Sequence, residues 1–313
     1  MERRIAEGIP RLRVVLVYNP LAGKGRASRW ARLLSEALGA DGDECVAVDV
    51  GPEGDGSRLE AELQDARALV AIGGDGTVQA HAPIAARTGV PIYQFPLGTE
   101  NLFAREFGMN RRYATLRATL DRGETLRVDL ARCNGDPFLL MCSVGPDANI
   151  VHRLASQRTG PISHTSYARH VLGELLRPAF KTLHINADGE QVISGRAGLV
   201  VVANSRQYAL RIDPAKDASM TDGALDLVFF PVSTRIGLIK WLMLSRLRRQ
   251  RSFSGSLYMR AHTVSIRDAG TPVPFQLDGE AMRTRQQGGA ALCAEEIRLE
   301  IEPGVVPVLV PAK

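Results

Sequence analysis

Four short apolar runs set what this chain can fold into. They are RVVLVY (Arg13 to Tyr18), ECVAVDV (Glu44 to Val50), ALVAIGG (Ala68 to Gly74) and VPIYQFP (Val90 to Pro96). The first is a continuous apolar run, as in a buried parallel strand, and the other three read as further strands. The segments between them have helical spacing. In ASRWARLLSEALG, residues Trp30, Leu33, Leu34, Ala37 and Leu38 form one stripe, and Gly39 reads as the stop. SRLEAELQDA and VQAHAPIAART read as two more helices. Strands alternating with helices predict an α/β domain over residues 1–128, a Rossmann-like three-layer sandwich around a parallel sheet.

After about Thr125 the rhythm changes. TLRVDLARC and FLLMCSVG read as strands on either side of an Asn134-Gly135 turn. KTLHINADGEQVISGRAGLVVVANS reads as three further strands. ALDLVFFPV, SLYMRAHTVSIRD, TPVPFQLDGE and EIRLEIEP continue the pattern. Helices are expected near His164 to Leu176 and Thr234 to Arg249. Residues 129–302 are therefore expected to be mostly antiparallel β, with 303–313 packing back on the first domain.

A length of 313 residues gives room for two cores. Hydrophobic residues at 45% and charged residues at 23% exclude the disordered and fibrous classes. A net charge of +5 fits an anionic partner such as phosphate or membrane lipid. Cys45, Cys133, Cys142 and Cys293 form no C-x-x-C pair, and their apolar neighbours predict small core residues in a reducing compartment. No His-x-x-x-His pair has a Glu beside it, so no zinc motif is present. The start, MERRIAEGIPRLR, has no apolar signal core, and IGLIKWLMLS is short and interrupted by Lys240. A cytoplasmic protein with at most peripheral membrane contact is expected. Aromatics at 5% and no recognisable motif argue against nucleic acid.

Ligands of an open parallel sheet bind at the carboxyl ends of its strands. Three such ends carry glycine-rich loops: NPLAGKG (Asn19 to Gly25), GGDGT (Gly73 to Thr77) and PLGTEN (Pro96 to Asn101). A strand, a glycine loop and a helix N-terminus together present free N–H groups to phosphate. The P-loop pattern is absent, and GKGRAS departs from a dinucleotide fingerprint at Ser28. Asp75 beside phosphates calls for a bridging cation, and Mg²⁺ is the usual one. The combination points to a nucleotide and Mg²⁺ site for phosphoryl transfer.

GGDGT, with NPLAGKG before it and PLGTENLFAREFG after it, resembles the diacylglycerol kinase catalytic domain of lipid kinases. That superfamily includes sphingosine and ceramide kinases and, more distantly, NAD kinases. CSVGPDANIV, ANSRQYALRIDPAKDASMTDGALDLVFF and FQLDGE extend the resemblance over nearly the whole chain. It implies a nucleotide-binding α/β domain and a β-sandwich second domain, with the active site between them. It also implies that Gly73, Gly74, Asp75, Gly76, Thr77, Val78 and Gln79 line ATP phosphates, with Gly98, Thr99, Asn101 and Asn19 close by. Glu280 is implied as general base toward a lipid hydroxyl, with Asp278 or Asp75 organising Mg²⁺; in some relatives the GGDGT aspartate is the base. A second, structural Mg²⁺ is implied at Asp222 and the carbonyls of Ser219 and Ala224.

The chain departs from the family where Asn-Glu usually follows GGDGT, having Gln79 and Ala80. GTGNDFAR becomes GTENLFAR, with Glu100 and Leu102. Two rival expectations follow: NAD kinase activity, and a nucleotide- or lipid-binding protein with little catalysis. The stretch IKWLMLSRLRRQRSF (Ile239 to Phe253) sets Lys240, Arg246, Arg248, Arg249 and Arg251 beside Trp241, Leu242 and Leu244, a pattern suited to an anionic surface. The sequence leaves a homodimer open.

Overall fold

The computed structural model describes residues 12–51, 56–146, 148–149, 151–152, 180–247, 249–268, 270–281 and 291–312. The helix expected near residues 164–176 lies outside them. Strands β1 (Arg13–Tyr18), β2 (Glu44–Asp49), β3 (Ala68–Gly73) and β4 (Ile92–Pro96) pair in parallel in the order β2-β1-β3-β4. All six residues of β3 are buried, as its unbroken apolar run requires.

Helices cover both faces of this sheet, and β4 shows it in two adjacent residues. Phe95 meets Trp30 of α1 (Ala27–Ala40) with ring centroids 5.1 Å apart. Its neighbour Gln94 bonds Ala104 of α4 (Leu102–Phe107). Successive strand residues point to opposite faces, so α1 and α4 lie on opposite sides. Helix α1 buries Ala27, Ala31, Leu34 and Leu38, at spacings of four, three and four. The expected stripe is thus shifted: Leu33 faces out, and the helix runs through Gly39 to Ala40. Among the described residues, α2 (Gly56–Glu62), α3 (Asp75–Thr88) and α5 (Tyr113–Arg122) follow, besides a short kinked helical turn at Ala22–Gly25.

The second half is a mostly antiparallel β-sandwich. One sheet holds β5 (Thr125–Cys133), β6 (Asp136–Phe138), β8 (Lys181–Ala187), β12 (Thr263–Asp268) and β15 (Glu296–Leu309). The other holds β7 (Met141–Val144), β10 (Leu225–Phe230), β11 (Leu257–Ala261) and β13 (Val273–Leu277), edged by β14 (Cys293–Ala294). Strand β9 (Glu190–Ala203) joins them, pairing β8 with its first part and β7 and β10 with its last. A core including Phe138, Val144, Ile185, Val202, Phe229, Phe275 and Ile297 fills the sandwich.

Four expectations are corrected. The segment 181–205 makes two strands, because β9 runs unbroken for 14 residues and turns from one sheet into the other. FLLMCSVG is broken at Leu139 and Leu140, whose N–H groups bond a side chain far along the chain instead of a ladder. SLYMRAHTVSIRD splits at His262 into β11 and β12, which join different sheets. Cys293 is exposed, whereas Cys133 and Cys142 are buried.

Residues 303–309 form the second part of β15, after a register shift between Glu302 and Val306. Val308 then pairs Ile92 of β4 in parallel. One strand so joins the parallel sheet to the sandwich. Asp129 fixes the bend: its Oδ1 accepts from Gly304 N at 2.7 Å and its Oδ2 from Gly223 N at 2.8 Å. No described helix is long and apolar enough to cross a membrane.

Candidate functional site

Three close approaches bring the glycine loops and the DGE turn together in series. A Cβ on Gly23, whose φ is +60°, would lie 2.9 Å from Leu97 Cβ. A Cβ on Gly98 would lie 2.8 Å from Gly74 Cα, backbone against backbone. A Cβ on Gly76 would lie 3.5 Å from Glu280 Oε1. Only glycine allows the first two approaches, because any side chain would fill the gap. The loops at Asn19 to Gly25, Gly73 to Thr77 and Pro96 to Asn101 therefore meet at one end of the sheet, with Glu280 from the second half over them.

Each loop is held by its own polar residues. Asn19 Oδ1 accepts from Leu21 N at 2.9 Å, which folds the first loop. Asn101, left-handed at φ +50°, brackets Gly98: its Oδ1 accepts from Gly98 N and its Nδ2 donates to Gly98 O, both at 2.8 Å. Gly98 and Thr99 are left exposed at the tip of that loop. Thr77 sits against Gly73, where a Cβ would fall 2.0 Å from its Oγ1. Val78 is buried under the loop. Gln79 Nε2 donates to Pro137 O at 2.9 Å, so this departure from the family ties α3 to β6.

Asp75 opens α3 and spends its carboxylate on α4. Its Oδ1 accepts from Phe103 N at 3.0 Å, and Leu102 N and Gln94 also bond it. It thus caps the first turn of α4 from another loop. Burial pushes its carboxyl up, against those hydrogen bonds. Gln94 completes the joint. Fully buried, it donates from Nε2 to Gly73 O at 3.3 Å and accepts from Ala104 N at 2.7 Å. Sequence reasoning passed over Gln94. Its signal was a lone amide inside an apolar strand, since a buried amide needs partners.

Asp278 is equally committed. Its Oδ1 accepts from Leu140 N and Met141 N at 2.8 Å each, and its Oδ2 from Leu139 N at 2.7 Å. Gln276 supports the same turn by accepting from Gly279 N at 2.7 Å and donating to Ser143 Oγ at 2.6 Å. Burial pushes the Asp278 carboxyl up to about 7, opposed by the three N–H bonds and aided by the nearby Asp75. An unfolded aspartate releases its proton near 3.9, so between about 4 and 7 the folded state binds more protons. Stability is therefore expected to fall as pH rises through that window. Melting curves from pH 5 to pH 8 check this; Asp278→Asn is expected to flatten the slope while lowering the melting temperature, since an amide cannot accept all three bonds.

Of the three carboxylates named as catalytic, Asp75 and Asp278 serve backbone N–H groups and Glu280 faces the glycine loop. The second metal position is also brought together differently. Asp222 Oδ1 accepts from Ala224 N at 3.3 Å, and its Oδ2 pairs with Arg260 at 2.5 Å. Ser219 Oγ lies 3.1 Å from Thr221 Oγ1. Asp226, opposite Arg260 in the ladder, is pushed up to about 6, chiefly by burial and then by Asp222. An arginine thus serves Asp222 where the resemblance implies a cation. Among the described residues, no group of three or more His, Cys, Asp or Glu is arranged to hold a metal.

Comparison with known proteins bears on the whole chain. Residues 13–133 match the model of the diacylglycerol kinase catalytic domain. Residues 141–310 match that of the YegS C-terminal NAD kinase beta sandwich-like domain. A Mycobacterium tuberculosis protein named diacylglycerol kinase is 28% identical over 73% of this chain and 76% of its own length. A Pseudomonas aeruginosa protein named "Probable lipid kinase YegS-like" is 27% identical over 93% of both chains. Across the curated relatives compared, the chain spans from 66% to 93% of their length. A solved structure from Bacillus anthracis superposes with a TM-score of 0.72 over 97% of this chain and 98% of its own, at 18% identity, which is a likeness of fold.

Proposed function

The chain belongs to the family that joins a diacylglycerol kinase catalytic domain to a YegS-type β-sandwich, and on that premise we propose that it is an ATP- and Mg²⁺-dependent kinase phosphorylating a hydroxyl of diacylglycerol or a related lipid. We read residues 1–128 as the nucleotide half and 129–302 as the lipid half, with 303–313 returning to the first. The observation that carries the reading is Glu280 Oε1 against Gly76, a carboxylate of the second half over the phosphate loop of the first. The loop N–H groups and the N-terminus of α3 receive the ATP phosphates. Glu280 takes the proton of the lipid hydroxyl as its oxygen bonds the γ-phosphorus and the bond to ADP breaks.

Asp75 and Asp278 accept backbone N–H groups and Asp222 pairs with Arg260, and among the described residues no group of three or more His, Cys, Asp or Glu is arranged to hold a metal. The proposal keeps the metal with the nucleotide and assigns it no protein ligand. When bound, Mg²⁺ supplies charge neutralisation at the phosphates. A lipid acceptor sets the reaction at a membrane surface, at its cytoplasmic side, within phospholipid metabolism.

The test is transfer of labelled phosphate from ATP, with and without Mg²⁺, to detergent-dispersed lipids and to NAD. Mg²⁺-dependent transfer to a lipid hydroxyl is expected. Transfer to NAD alone would establish the NAD kinase rival. ATP binding with no transfer to any acceptor would leave a binding protein.

A further inference from the structure

The structure corrects the sequence reading of the basic amphipathic stretch. Trp241, named there among its apolar residues, is buried in α6 (Arg235–Arg246) with Leu238 and Ser245. It packs on Phe230 with ring centroids 5.6 Å apart. Leu242 and Leu244 are half-buried. The residues left in solvent are Ile236 at 80% exposure, Ile239 at 46%, Met243 at 62% and Leu247 at 65%. At 100° per residue, 236, 239, 243 and 247 form one stripe, opposite the buried 238, 241 and 245. Among the described residues, only Leu21, Leu33 and Leu126 are exposed in the same way elsewhere, and those are scattered.

The charge around the stripe is of one sign. Residues 227–267 contain eight Lys or Arg and no Asp or Glu. Arg235, Lys240, Arg246 and Arg249 are exposed beside the stripe. Lys240 Nζ lies 5.5 Å from the Phe253 ring centroid, which holds that cation at the edge of the apolar face. Among the described residues, two features that would argue for a packed helix are therefore missing on this face: a covering element and a balancing acid. An apolar stripe flanked by cations is the pattern of a helix lying in a lipid interface, with its apolar side chains at the boundary of headgroups and acyl chains and its cations on lipid phosphates.

We propose that α6 is the membrane-docking helix, seating Ile236, Ile239, Met243 and Leu247 in an anionic bilayer with Arg235, Lys240, Arg246 and Arg249 on its phosphates. This rests on the lipid-kinase reading for its purpose, but its test does not require catalysis.

The experiment is co-sedimentation with vesicles of phosphatidylglycerol and phosphatidylcholine, and of phosphatidylcholine alone. The wild type is expected to bind the anionic vesicles at least about tenfold more tightly than the neutral ones, and to lose that preference in high salt. Ile236→Glu and Met243→Glu, at exposed positions, are expected to abolish sedimentation while leaving the melting temperature and the activity on detergent-dispersed lipid unchanged. Equal binding by wild type and Met243→Glu would overturn the proposal. So would a wild-type dimer by light scattering that Met243→Glu turns into a monomer, because the stripe would then cover a second copy. Failure of the kinase reading shows separately, as vesicle binding with no phosphorylation of any dispersed lipid.

Discussion

Glu280→Gln is expected to lower kcat by about 10²- to 10⁴-fold, the usual contribution of a positioned general base. KM for ATP and the melting temperature are expected to stay close to those of the wild type. The substitution keeps the shape of the side chain and removes its basicity. Asp278 accepts three backbone N–H bonds, and Asp75 caps α4. A steady-state assay with ATP and a dispersed lipid checks the result. A kcat within threefold of wild type would remove Glu280 from the role of base.

Gly98→Ala is expected to impair ATP binding and to destabilise the protein by about 1–3 kcal/mol, the range for overpacking a filled site. The new methyl would lie 2.8 Å from Gly74 Cα and 2.9 Å from Asn101 Oδ1. The first neighbour is backbone and cannot rotate away, so the two glycine loops must separate. Gly39→Ala is the contrast. Nothing lies within 4 Å of a Cβ there, and the residue is in the last turn of α1. That change is expected to stabilise by up to about 1 kcal/mol, through helix propensity alone. ATP titration and thermal melts of both variants check the pair.

The parallel sheet was legible because its signals are local. Each of β1, β3 and β4 is an apolar run that closes on a glycine- or proline-rich loop, and the loops lie where such a sheet binds ligands. The antiparallel half was read less well. The alternation along β9 marks a strand but not the change of sheet within it, which depends on neighbours β8, β7 and β10. The sequence reading divided β15 into a strand and a tail. Asp129, from a strand far earlier in the chain, fixes the bend between them by binding Gly304.

By itself the sequence determined that glycine loops cap parallel strands and that carboxylates stand near them, since spacing and residue type are properties of a short segment. Only the tertiary structure decided which carboxylate faces the loop and which side of α6 faces solvent. Asp278 meets Met141 across 137 residues, and Asp75 meets Phe103 across 28. A carboxylate becomes a cap or a base according to the N–H groups brought to it, and a leucine or tryptophan becomes core or surface according to what covers it. Those partners are distant in sequence, so folding alone assigns the roles.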